Sequence, residues 1–138
     1  MKTFLFACVH NAGRSQMAAA LFNLYGNREE CCAISAGTQP VSHVHPEVVE
    51  VMREIGIDLS TAKPQRLTDD LARSASVLIT MGCGEACPFV PSLRTVDWVL
   101  PDPKDRSLND VRVIRDEIHE RVRALLHNEC AECVSSNC

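Results

Sequence analysis

The sequence predicts an α/β domain, a three-layer sandwich in which a four-stranded parallel sheet carries helices on both faces. Three observations lead there. Apolar, strand-like runs alternate with helix-like stretches along the chain, the pattern of a parallel sheet covered by its own crossovers. The 138 residues suffice for one hydrophobic core and are too few for two ordinary ones. A polar, glycine-containing loop follows the first strand directly, at the carboxyl end of the sheet where ligands bind in folds of this kind.

Thr3 to Val9 is apolar throughout and reads as a buried strand. Ser15 to Tyr25 follows as a helix closed by Gly26. Cys31 to Ala36 is the second strand; Cys31 and Cys32 are read there as packing residues, since free cysteine behaves as a small buried hydrophobe. His45-Pro46 opens a helix in which Val48, Val49, Met52 and Ile55 recur at helical spacing before Gly56. Leu67 to Ser74 is a short helix, Val77 to Met81 an apolar strand and Thr95 to Leu100 a fourth, weaker one. The last helix is capped by Ser107, carries Asp110 in its first turn, and buries Val111, Ile114, Ile118, Val122 and Leu125 as one stripe. The alternating charges of Arg112 to Arg123 read as its wet face. One domain over residues 1–127 and a cysteine-containing tail over 128–138 result.

Composition narrows the function. A net charge of −4 without any Lys/Arg cluster excludes a phosphate-backbone binder, so no nucleic acid partner is expected. No apolar run approaches the roughly 18 residues of a membrane helix, and Met1 to Val9 is too short for a signal peptide. The expected location is the cytoplasm. Eight cysteines are many for a protein kept in a reducing compartment, and that excess points to redox or metal chemistry.

The chemistry concentrates in Cys8-Val9-His10-Asn11-Ala12-Gly13-Arg14-Ser15, a cysteine at a strand end, five residues, then Arg-Ser at a helix start. Successive backbone N–H groups at a helix N-terminus bind a tetrahedral oxyanion, because unpaired donors and the helix dipole both favour negative charge. Arg14 adds a planar fork for two of the anion's oxygens. Ala12 and Gly13 let the backbone curl, and Asn11 tolerates left-handed dihedrals and can brace the turn. Only a thiolate attacks, and the same positive field favours that form of Cys8, to which Ser15 can donate a hydrogen bond. Val9 through Ser15 are thus the expected oxyanion-binding residues and Cys8 the expected nucleophile. His10 is read as facing solvent, His43 and His45 as turn and surface residues, and Trp98 as packing.

With that motif in place the chain resembles the low-molecular-weight tyrosine phosphatase superfamily over Thr3 to Leu126. The resemblance implies the phosphatase-like fold and makes Asp102, in Pro101-Asp102-Pro103, the general acid that protonates the leaving oxygen. Within the superfamily, Met81-Gly82-Cys83-Gly84-Glu85-Ala86-Cys87-Pro88 resembles the thiol segment of the arsenate reductases, as does the run from Asp97-Trp98 to Glu117. A hydrolase needs no further thiols, whereas reducing arsenate takes two electrons. Lys104 stands where the phosphatases commonly place an aromatic wall, and Ala19 where some relatives carry a glutamate of a structural potassium site.

This resemblance implies an enzyme of arsenic detoxification, an arsenate reductase with residual phosphatase activity; hydrolysis of aryl phosphates through a Cys8 phosphocysteine is the alternative. Cys8, Arg14, Asp102, Cys83 and Cys87 would be catalytic, with the order of Cys83 and Cys87 open. No metal and no tightly bound cofactor are implied, only an external thiol reductant, either thioredoxin or a low-molecular-weight thiol system. Phosphate or sulfate would occupy the loop as arsenate does, and a monomer suffices. Cys130, Cys133 and Cys138, with His127, stay open between a zinc or arsenite site, an electron relay and idle thiols.

Overall fold

A computed structural model describes residues 1–82, 90, 91 and 93–129. Four strands, β1 (Lys2–Cys8), β2 (Cys31–Gly37), β3 (Val77–Thr80) and β4 (Arg94–Asp97), alternate with α1 (Arg14–Tyr25), α2 (Pro46–Arg53), α3 (Asp69–Arg73) and α4 (Leu108–Glu129). All pairings are parallel, in the order β2-β1-β3-β4. The chain therefore leaves β1 toward one edge and returns to the other side of it. The carboxyl end of β1 is a topological switch point, where diverging crossovers open a crevice, and Cys8 is its last residue.

The period of two along β1 divides the core. Phe4, Phe6 and Cys8 face α1, α2 and α4, in a cluster with Met17, Phe22, Val48, Met52, Ile118 and Val122. Leu5 and Ala7 face a smaller cluster with Leu78 and Ala72 of α3. Helices thus cover both faces, unequally. Phe6 packs on Phe22 and on Trp98, with ring centroids 5.9 and 5.6 Å apart, so Trp98 is a packing residue. Cys31 is fully buried beside β1, as a small hydrophobe would be.

Departures from the expected elements have local causes. α3 is shorter at its start because Leu67 is tied to β2: Gly37 donates to Gln65 O at 2.9 Å and Leu67 donates to Gly37 O at 2.8 Å. Thr68 then caps the helix, its Oγ1 accepting from Leu71 N at 3.1 Å. β4 stops at Asp97, three residues before the expected end, since Val99 turns outward and Leu100 directs its carbonyl to Arg14. α4 opens after Ser107, whose Oγ accepts from Asp110 N at 3.2 Å. It runs through Asn128 and Glu129, two residues into the stretch assigned above to the tail, and Glu129 pairs with Arg94 of β4. Among the described residues no helix is long and apolar enough to cross a membrane.

Candidate active site

The loop from Cys8 to Gly13 commits every one of its carbonyls. Those of Cys8, Val9 and His10 accept from the backbone N–H groups of Thr38, Gln39 and Val41 at 3.1, 2.8 and 3.2 Å. The Asn11 carbonyl accepts from Gln16 Nε2 at 3.1 Å, that of Ala12 from His45 N at 3.0 Å and that of Gly13 from Met17 N at 3.0 Å. In a planar trans peptide the C=O of one residue and the N–H of the next point in opposite directions. Carbonyls held by the segment 38–45 and by α1 therefore turn the intervening N–H groups to the other side, into the hollow of the loop. Asn11 makes the curl possible with φ at 52°, left-handed backbone that Asn tolerates better than most residues. Gly37 admits the loop against β2: a Cβ there would lie 2.6 Å from Val9 O and 2.9 Å from Asn11 N.

A buried relay of hydrogen bonds orients the sulfur. Gln65 N donates to Asn11 Oδ1 at 2.9 Å, Asn11 Nδ2 donates to Ser15 Oγ at 2.8 Å, and Ser15 Oγ lies 2.9 Å from Cys8 Sγ. The Asn11 amide can only donate to Ser15, which leaves the hydroxyl proton free for the sulfur. When Cys8 is a thiolate, Ser15 is the donor of that bond. Cys8 and Ser15 are essentially inaccessible to solvent, so the bond acts at reduced dielectric.

Arg14 begins α1 and is buried. Its Nη1 donates to Leu100 O at 3.2 Å and its Nη2 lies 3.8 Å from Asp102 Oδ2. Arg14 Nε is buried and has no partner among the described residues. An orphaned buried donor costs about 1–3 kcal/mol, a cost that an oxyanion in the loop would relieve. Gly82, with φ at 94°, packs on the guanidinium; a Cβ there would sit 2.5 Å from Nη1. Asp102 is anchored on its other side, its Oδ1 accepting from Lys104 N at 3.0 Å. The next residue, Pro103, seals the turn onto the loop, since a Cβ on Gly13 would lie 2.6 Å from Pro103 Cγ. The loop, Arg14 and the carboxylate of Asp102 thus meet at one mouth.

Of the residues singled out from sequence, Cys8, Val9 to Ser15 and Asp102 are brought together here. Cys83, Cys87, Cys130, Cys133 and Cys138 lie outside the described residues. Sequence reasoning overlooked Gln16 and Gln65, which brace Asn11, together with Gly37 and Gly82; only a glycine closing an apolar strand hinted at Gly37. His45, read as a turn and surface residue, does stand at the start of α2, and it also reaches the loop. That residue is half-buried, its backbone holds Ala12, and its ring lies 6.4 Å from that of His10, centroid to centroid. Burial holds its ionisation below the ordinary histidine range, against the opposing pull of Asp102 and Glu47. His10 is itself only half-exposed.

The family model described as low molecular weight phosphotyrosine protein phosphatase matches residues 3–135. A relative in Halobacterium salinarum is 41% identical over 123 residues, 86% of this chain and 87% of its own. The glutaredoxin arsenate reductase of a Synechocystis strain is 34% identical over 129 residues, 91% of this chain and 97% of its own. Among solved structures, a thioredoxin-dependent arsenate reductase from Corynebacterium glutamicum superposes with a TM-score of 0.78 at 40% identity, over 92% of this chain. This chain spans 61% of the length of that one.

Proposed function

The chain belongs to the low molecular weight phosphotyrosine protein phosphatase family, and from that premise we propose that it is a thiol-dependent arsenate reductase. The single observation that carries the site is the loop after the buried Cys8 whose carbonyls are all taken up by the segment 38–45 and by α1. An N–H-lined hollow of this kind fits a tetrahedral oxyanion, and it receives arsenate, phosphate or sulfate alike. The choice of arsenate over an aryl phosphate rests on the names of the relatives and on the two cysteines, Cys83 and Cys87, that follow β3 in the sequence.

In this reading the backbone N–H groups from Val9 to Ser15 and the Arg14 guanidinium hold arsenate with its arsenic facing Cys8 Sγ. The thiolate, held by Ser15, attacks arsenic and forms an S–As bond. The As–O bond to the departing oxygen breaks, and Asp102 supplies the proton so that water leaves. A second thiolate then attacks Cys8 sulfur. The new S–S bond forms as the S–As pair passes to arsenic, which falls from the +5 to the +3 state and departs as arsenite. Cys83 fills that role on sequence grounds, and exchange to a Cys83–Cys87 disulfide carries the oxidation away from the loop. An external dithiol or small thiol returns the enzyme to its reduced form. The two named relatives differ here, one thioredoxin-dependent and one a glutaredoxin reductase, and both donors belong to the reducing cytoplasm in which we place the protein, as a monomer.

Steady-state assays test the proposal. Wild-type protein is expected to release arsenite with reduced thioredoxin or with glutathione and glutaredoxin, and Cys8→Ser to release none. Brisk hydrolysis of para-nitrophenyl phosphate with no arsenite under any donor would assign the chain to the phosphatase branch.

A further inference from the structure

Asp102 stands on a turn that belongs neither to the cysteine loop nor to the sheet, so something else must hold it at the mouth. Its carboxylate is tied on one side, Oδ1 accepting from Lys104 N at 3.0 Å, while Oδ2 faces Arg14 Nη2 at 3.8 Å. Its backbone is tied by a side chain four residues on. Arg106 Nε donates to the Asp102 carbonyl at 2.6 Å, and Arg106 N donates to Pro103 O at 3.3 Å. Asp105 turns the chain back for this contact with φ at 58°, left-handed backbone that aspartate enters more readily than most residues. Ser107 follows at once as the cap of α4, and α4 is packed into the core through Val111, Ile114 and Ile118. Arg106 thus ties the turn of Asp102 to the start of a helix anchored in the core.

The peptide between Asp102 and Pro103 is a planar unit, and it is pinned at both ends. Arg106 holds its oxygen, and the ring of Pro103 lies against Gly13, where a Cβ would come within 2.6 Å of Pro103 Cγ. With that plane fixed, the Cα of Asp102 cannot swing and its carboxyl keeps one direction. We propose that Arg106 is a positioning residue for proton delivery: its Nε–H, bonded to the Asp102 carbonyl, keeps the Asp102 carboxyl aimed at the departing oxygen. The proposal rests on Asp102 being the proton donor in the reaction described above. Arg106 lies outside the N–H-lined hollow, so it governs the bond-breaking step and not the hold on the anion. Lysine would be a poor substitute, because the guanidinium Nε–H is one donor in a rigid plane whereas an ammonium rotates on a flexible stem and is strongly hydrated.

The test is a double-mutant cycle on the full chain, with Arg106→Lys, Asp102→Asn and the two combined. It reads turnover of arsenate at saturating thiol, hydrolysis of phenyl phosphate, and affinity for inorganic phosphate by calorimetry. Arg106 is exposed, and Arg106→Lys keeps its positive charge and its aliphatic stem while losing the fixed donor. That variant is expected to react about tenfold more slowly, a part of the roughly hundredfold or more that a well-placed acid contributes, with phosphate affinity within about twofold of wild type. In the Asp102→Asn background the same substitution is expected to add nothing, because residues that act as a unit are not additive. Losses that multiply across the cycle overturn the proposal, as does a phosphate affinity that falls as far as the rate. An Arg106→Lys or Asp102→Asn protein as fast as wild type overturns it too. The expected pattern on phenyl phosphate in a protein without arsenate turnover would sink the reductase reading and uphold the role of Arg106.

Discussion

Ser15 has one proton to give, and its neighbours settle where it goes. Because the Asn11 amide donates into the Ser15 oxygen, the hydroxyl is polarised toward Cys8, and removing it leaves the thiolate without its nearest donor. Ser15→Ala is expected to lower arsenate turnover about tenfold, the worth of one charge-assisted hydrogen bond at roughly 1.5 kcal/mol, and also to lower the melting temperature, since the buried Asn11 Nδ2 loses its acceptor. An unaltered rate would show that the sulfur does not depend on this donor. Gly82→Ala acts on the opposite wall. Its methyl group would meet Arg14 Nη1 at 2.5 Å on backbone with φ at 94°, so the guanidinium must shift, and phosphate affinity is expected to fall on the order of tenfold or more. Titration calorimetry reads that loss. At this scale Cys8, Arg14 and Ser15 were legible because they belong to one strand, loop and helix. Gln65, 54 residues from the Asn11 side chain that it braces, was not, because its relevance arises only when β2 brings the chain back beside β1.

Between elements, the salt bridge across α2 and α4 shows what periodicity alone hides. Arg112 and Arg115 lie on the face of α4 that alternating charges mark as wet, yet both reach Glu54 just beyond α2. Arg112 Nη2 pairs with it at 2.7 Å and Arg115 Nη1 at 2.9 Å, and Arg115 Nη1 also donates to Val51 O at 2.7 Å. The hydrogen bond from Arg112, aided by Arg115, lowers the Glu54 carboxyl from its ordinary 4.5 to about 2. Since the folded state binds this proton less readily than the unfolded one, the stabilisation is complete above about pH 4.5 and is lost as pH falls toward 2. Glu54→Gln is expected to melt below wild type at neutral pH, by a margin that shrinks with acid and with salt; a margin independent of pH would contradict the pairing. The helices themselves could be read from their apolar stripes, and Ser107 from its chemistry as a cap. The ends of β4 and α3 could not, because they are set by the carbonyl of Leu100 turning to Arg14 and by Leu67 pairing with Gly37.

Across the whole molecule, the site follows from strand order. A sheet arranged β2-β1-β3-β4 opens at the end of β1, and the cysteine loop lies at that opening, its carbonyls held by the segment 38–45 and by α1. Such a site stabilises the fold through binding. Phosphate at a hundred times its dissociation constant is expected to add about 2.7 kcal/mol to unfolding, and the gain should vanish in Arg14→Ala at the same concentration. The parallel sheet with helices on both faces was legible in the alternation of apolar runs, whereas the order of its strands was not, since alternation is the same for every winding. The chemistry that follows Cys8 attack is the central claim, and a single turnover tests it most directly. Fully reduced protein, freed of external thiol, is mixed with arsenate, and the arsenite released and thiols lost are both counted and mapped. About one arsenite and two thiols lost per chain, at Cys8 together with Cys83 or Cys87, is the result expected of an internal relay. No arsenite until a small thiol or thioredoxin is added, with Cys83 and Cys87 still reduced, would contradict it.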